Sequence, residues 1–230
     1  MGPTPTKRLF DALTAAWRPG TSPLVLAPHF RNMRADSLRL RNRCFQDDIF
    51  RKVHIERALM DPIDAEILHS VAFPRVTHTA PILGIDVVVL HGDVTMCIAD
   101  ATPVVGPTTD PAVRELQARH GIPDLMAAHA RELPDWGKAI FSDDCVFLNR
   151  PTPEAADAFL EYAVALTRLV RGAPAMLSED PEAVRTEHAR YCAHQRRNSR
   201  TRVVLAKAFG DDMARDYMSM VMFDFPPPSA

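Results

Sequence analysis

His69 and Asp86 are each a lone titratable residue in an apolar strand-like run. His69 lies in EILHSVAFP, where period-two alternation places it on the face of Ile67, Val71 and Phe73. Asp86 lies in ILGIDVVVL, sharing a face with Gly84 and Val88 and facing away from Ile85 and Val87. If both faces point into one cavity, imidazole and carboxyl meet on neighbouring strands within reach of one ligand. Burial raises a carboxyl pKa because the charged form loses hydration, and a nearby imidazolium opposes that rise. Such a pair can share a proton and deliver it near neutral pH. The alternative is structural: a buried, hydrogen-bonded histidine and an aspartate that closes a strand.

His54 and Glu56 share a face of the run DIFRKVHIERALM, opposite Val53 and Ile55. A His-x-Glu pair on a strand can supply metal ligands or a second acid–base pair. No third ligand follows at a fitting spacing, so no metal is assigned, and a solvated strand face is the competing reading. Arg131, Asn198 and Arg200 can meet ligand carboxylates by charge and hydrogen bonding. Arg39, Arg41, Arg43, Arg51 and Lys52, with Arg196, Arg197, Arg200 and Arg202, form two basic runs against a net charge of only −2. Together they suit a polyanionic ligand or an acidic partner protein.

Composition narrows the class. The 230 residues have the apolar and charged fractions of an ordinary soluble protein, and bulk charge does not suggest a nucleic-acid binder. The apolar runs are strand-sized rather than membrane-spanning, and the N-terminus has no apolar signal core, so a cytoplasmic location is expected. Cys44, Cys97, Cys145 and Cys192 stand too far apart for an iron–sulfur or compact zinc site and read as buried thiols. Neither G-x-G-x-x-G nor G-x-x-x-x-G-K-[ST] occurs, which argues against a built-in nucleotide site.

The elements that must position these residues come in two blocks. A helix from about Thr6 to Trp17 ends at the breaker cluster RPGTSP. Strand-like runs follow: SLRLRNRCFQ, DIFRKVHIERALM, AEILHSVAFP, ILGIDVVVL and VTMCIADATP. Their connections are too short for helical crossovers, so the sheet should be antiparallel. From Asp110 the pattern turns helical, with one more strand at CVFLNRP. Next comes a helix capped by Thr152 with Pro153 at its first position. Further helices are expected from about Glu182 to Gln195 and on either side of Gly210. Strands first and covering helices later predict a single unit over 1–230, with residues 1–35 a variable N-terminal segment and 225–230 a loose tail.

Several stretches together resemble the ferredoxin-dependent bilin reductase family. They are RNRCFQDDIFRKVHIERA, EILHSVAFPR, PILGID, IADATP, RELPDWG, IFS and QRRNSRTRVVLAKAFGDDMARDYMSMVMFD, covering roughly Leu38 to Asp224 in the family's order. The last is the most specific. The resemblance implies an α/β fold, a three-layer α/β/α sandwich with a central antiparallel sheet and the ligand between the sheet and the C-terminal helices. It implies reduction of biliverdin IXα, one electron at a time through bilin radicals, by a reduced [2Fe–2S] ferredoxin. No bound cofactor is implied: the protein supplies protons and position. Asp86 then corresponds to the central proton donor, His69 to its partner, and His54 and Glu56 to a pair around the D-ring. Arg131 and Arg200 match propionate-holding positions, Thr95 a Ser near the pigment, and Asn198 a pocket Asn; Ser199 and Val204 join the substrate-binding set. The basic runs become the landing site for ferredoxin, met transiently by a monomer.

One departure bears on the product. Many relatives carry Asn-Asp where this chain has Asn198-Ser199, so a second carboxylate is missing and the second proton must pass through His69, Asp86 or water. Glu56 favours D-ring reduction to phycocyanobilin. Ser199 and the compact chain look more like small phage and marine members that form phycoerythrobilin, which is the expected product; a phage-encoded enzyme active in an infected host fits that likeness. A non-catalytic tetrapyrrole carrier using the same pocket and a ligand-free interaction domain are the competing classes.

Overall fold

Helix α1 (Pro5–Trp17) begins with proline in its first turn and buries Leu9, Phe10, Leu13 and Trp17 along one stripe. Each such side chain contributes roughly 2 kcal/mol on leaving water. Packing against the sheet, with Trp17 edge-on to Phe50 at 5.0 Å, therefore holds the helix more firmly than its intrinsic propensity could. The computed structural model describes residues 2–174 and 176–226, apart from the side chain of Trp136.

After α1 come β1 (Ser22–Pro23), α2 (Pro28–Arg31), β2 (Arg34–Ala35), β3 (Leu38–Gln46), β4 (Phe50–Met60), β5 (Ala65–Pro74), β6 (Ile82–Leu90) and β7 (Asp93–Thr102). Then follow α3 (Pro111–Arg119), α4 (Ile122–His129), α5 (Asp135–Lys138), β8 (Val146–Asn149), α6 (Pro153–Gly172), α7 (Pro181–Gln195), α8 (Ser199–Phe209) and α9 (Asp211–Asp216). A π-helical turn, Tyr217–Met222, closes the series. The strand order is β1-β3-β4-β5-β6-β7-β8, with β2 beside β3, and every pairing is antiparallel. The expected antiparallel sheet is therefore observed, because β3 to β7 connect by short turns. The β6–β7 hairpin turns through His91 and Gly92, both at positive φ, a twist that matches its strands.

Both faces of the sheet are covered. One packs α1, α3, α4 and α6 against Val53, Ile55, Leu68, Ile85, Val87 and Ala99. The other packs α7 to α9 and the π turn against Leu38, Leu40, Val71, Phe73 and Ile82. The result is the α/β/α sandwich expected. Thr152 caps α6 as read, accepting from the Ala155 amide at 3.2 Å. The helical run from Asp110 instead breaks into α3 and α4 at Gly121, which adopts φ 65°.

One competing reading falls away and one expectation changes. The polar face of β4 is interior, since α7 to α9 cover it: Lys52, His54 and Glu56 are all buried. The two basic runs also do not form one patch. Arg39 and Arg41 lie on the α1 face, with Arg41 over the Phe10 ring, whereas Arg196, Arg197, Arg200 and Arg202 lie at the α7–α8 junction. Lys52 is buried and Arg51 half-buried against Asp224 rather than solvated. Of the expected tail, 227–230 lie outside the described residues; Phe225 stacks on Arg196 at 3.9 Å and Pro226 is buried.

Candidate active site

Strand register assembles the site. Asn42, Glu56, His69, Asp86 and Ile98 stand directly opposite one another across five strands. The next row is Cys44, His54, Val71, Gly84 and Asp100. Cross-strand partners share a face, so sequence-distant polar groups collect on the side that α7 to α9 cover. A one-residue slip of β5 or β6 would turn His69 or Asp86 away.

His69 Nδ1 donates to Asp86 Oδ1 at 2.8 Å. The imidazole is buried, while the Asp86 side chain keeps 29% of its exposure. Burial works against an imidazolium here, but the Asp86 charge and hydrogen bond outweigh it and raise the proton affinity of His69; Glu56 adds to the rise. His54 behaves oppositely. Burial above all, with the charges of His69 and Lys52 adding to it, holds it neutral, well below the ordinary histidine range. Its ring lies 6.0 Å from that of His69. Burial pushes the Glu56 carboxyl up, with the His69 charge opposing. Among the described residues, His54 Nδ1 and His69 Nε2 are buried without a hydrogen-bond partner. These two ring nitrogens are positions that a polar ligand could satisfy.

The four residues expected to act chemically thus converge, and several that sequence reasoning passed over join them. Asn42 and Tyr217 bond to His54 and Glu56. Gly84 leaves room for the Tyr191 hydroxyl, which a Cβ would approach to 3.0 Å. Phe223 packs edge-on to His69 at 5.5 Å. Asp100 is buried and tied to Ser142 and Thr102 within IADATP and IFS, so it fixes the Ser142 segment to the sheet. Asn42 had left a trace as the one polar residue alternating with Leu38 and Leu40.

The expected binding residues lie farther out. Thr95 occupies a bulge of β7, with its hydroxyl donating to Val88 O at 3.3 Å. Exposed Arg131 precedes β8, its amide bonded to Phe147 O and its guanidinium 3.5 Å from Asn149 Oδ1. Asn198 caps α8, its side-chain oxygen accepting from the Arg200 and Thr201 amides, and Ser199 and Arg200 are exposed on the first turn. Val204 packs against the apolar core beneath α8. A cleft of about 590 Å³ lies at the β1–β3 edge and reaches Asn42 rather than the His69–Asp86 pair.

Fold and site together define an α/β/α sandwich whose covered sheet face carries a polar His–Asp–Glu cluster. The ferredoxin-dependent bilin reductase family model matches residues 10–224, and the chain belongs to that family. It is 38% identical over 204 residues to phycocyanobilin:ferredoxin oxidoreductase of Synechococcus sp., covering 84% of this chain and 79% of that protein. Among solved structures, the fold is similar to tomato phytochromobilin synthase in complex with biliverdin. The TM-score there is 0.74 at 13% identity, covering 94% of this chain and 80% of that one. It is also similar to PcyX, with a TM-score of 0.60 at 16% identity, covering 96% and 98%. No helix among the described residues is long and apolar enough to cross a membrane.

Proposed function

We propose that this chain reduces biliverdin IXα by four electrons to phycoerythrobilin, taking single electrons from reduced ferredoxin and passing through bilin radicals. The observation carrying the proton chemistry is the 2.8 Å His69–Asp86 hydrogen bond on the covered sheet face. Ferredoxin supplies electrons, so the protein's task is to deliver protons at the right carbons and keep water from the intermediates. His69 holds a proton and Asp86, the more exposed partner, passes it to the pigment. Glu56 and His54 act beside them. Arg131 and Arg200 hold the propionates, while Asn198, Ser199, Thr95 and Val204 border the pigment. The bilin lies between the sheet and α7 to α9, which requires Tyr217 and Phe223 to shift from the sheet. In this reading residues 1–230 act as one monomeric cytoplasmic unit.

Ser199, which offers no carboxylate, supports phycoerythrobilin. A second reading, reduction to phycocyanobilin, is favoured by Glu56 within the site and by the curated relatives' names. Anaerobic turnover of biliverdin with reduced ferredoxin, followed by chromatography of the product, decides between them. Bound biliverdin whose spectrum never changes under these conditions would favour a tetrapyrrole carrier over an enzyme.

A further inference from the structure

The hydrogen bonds around Asn42 can be counted proton by proton. Its amide nitrogen donates to Phe30 O at 2.7 Å, which turns its oxygen toward the site. That oxygen lies 2.9 Å from His54 Nε2 and 2.8 Å from the Tyr217 hydroxyl. An amide oxygen has two lone pairs and no proton, so both neighbours must donate to it. The single hydroxyl proton of Tyr217 is then used. Yet the same hydroxyl oxygen also contacts Glu56 Oε2, and only a proton on Glu56 completes that bond.

We propose that Asn42 and Tyr217 are positioning residues that hold Glu56 as a neutral carboxylic acid and His54 as its Nε2–H tautomer. The proton of Glu56 points along Oε2 to the Tyr217 oxygen, whose own proton points to Asn42. The row then carries two carboxyls in unlike surroundings: Asp86, partly exposed against an imidazole, and Glu56, buried against a phenol. Glu56 is faced by His69 from β5, Asp86 from β6, the Cys44 thiol from β3 and Tyr217 from the π turn; His54 and Lys52 share its strand face. Burial favours the acid form of Glu56, as the count of protons requires. The inference rests on the reading of Glu56 as a site residue, but it concerns the protein before any bilin binds.

Infrared difference spectroscopy of the bilin-free protein, wild type minus Glu56→Gln at pH 7, tests it. A carbonyl stretch of a neutral carboxylic acid, lost in the variant, is expected; carboxylate bands in its place overturn the proposal. In Asn42→Leu the Tyr217 hydroxyl is released and can donate to Glu56, stabilising the carboxylate. The pH at which the acid band vanishes should then fall by about one unit, the scale of one hydrogen bond to a charged group. An unchanged or higher value counts against Asn42. If Asn42→Leu does not fold, the Glu56→Gln difference still decides. An acid band in a protein that never reduces bilin would keep the network and remove the catalytic reading; turnover with ionised Glu56 would do the reverse.

Discussion

His69 and Asp86 face each other across the β5–β6 pair, and the imidazole donates from Nδ1 to the carboxylate at 2.8 Å. The ring is buried beneath Phe223, whereas the carboxylate remains partly open. The pair thus has a dry end and a partly open end, the arrangement that the proposed proton delivery needs. Burial alone would strip the imidazole of its proton; the adjoining carboxylate reverses the balance.

Asp86→Asn keeps the size of the side chain and removes its charge. Biliverdin binding should survive while turnover falls by about 10²- to 10⁴-fold, the usual contribution of a positioned acid or base. Titration of bilin absorbance and anaerobic turnover measure the two effects separately. Near-normal turnover would remove Asp86 from the chemistry.

Stability against pH should show two limbs. The folded pKa of His69 lies above its unfolded value, so its contribution is complete below about pH 6.5 and is lost as pH rises through the folded pKa. Glu66 has the opposite sign. Burial disfavours its charge, but bonds from Thr6, Arg57 and Thr4 prevail and hold the carboxyl below its ordinary range. That contribution is present above about pH 4.3 and fades as pH falls through the folded pKa. Urea unfolding across pH should lose the alkaline limb in His69→Gln and the acidic limb in Glu66→Gln.

The two arginine groups lie on opposite faces, so ferredoxin can be steered by one without the other. Charge reversal at Arg197 and Arg202 should slow reduction by about tenfold at low ionic strength, with the difference shrinking as salt is added. The same change at Arg39 and Arg41 should leave the rate near wild type. Equal losses from both pairs, measured by stopped-flow absorbance, would contradict a docking surface at the α7–α8 junction.

Asp224 ties the end of the chain to the sheet. Arg51 Nη1 reaches its carboxylate at 2.6 Å, and Lys52 bonds to the same group and to Val221 O at 2.9 Å. Asp224→Ala leaves two largely buried cations short of a partner and should cost about 2 kcal/mol. A lowered urea midpoint with an unchanged slope is the expected result.

Much of the site was legible because β-strands alternate. Period two placed His69 and Asp86 on definite faces, and the short connections between strands required antiparallel pairing. The neighbouring pair was harder. His54 and Glu56 alternate with Val53 and Ile55 as a solvated strand would, and nothing within β4 tells water from a covering helix. Asn42 and Tyr217 were missed because they are 175 residues apart and meet only when the π turn packs onto β3. The basic runs misled for a related reason: charge counts carry no information about which face of a sheet a residue occupies.

By itself the sequence determined the elements, the antiparallel pairing and the family, because hydrophobic period, caps and breakers act over a few residues and motifs are read in order. Tertiary structure alone decided that His69 stands opposite Asp86, that Glu56 is dry, and that Asn42 joins Tyr217 to His54. Those facts depend on register between strands and on burial beneath helices far along the chain. Burial sets the energy of each proton, and it is a property of the packed fold rather than of any local run of residues.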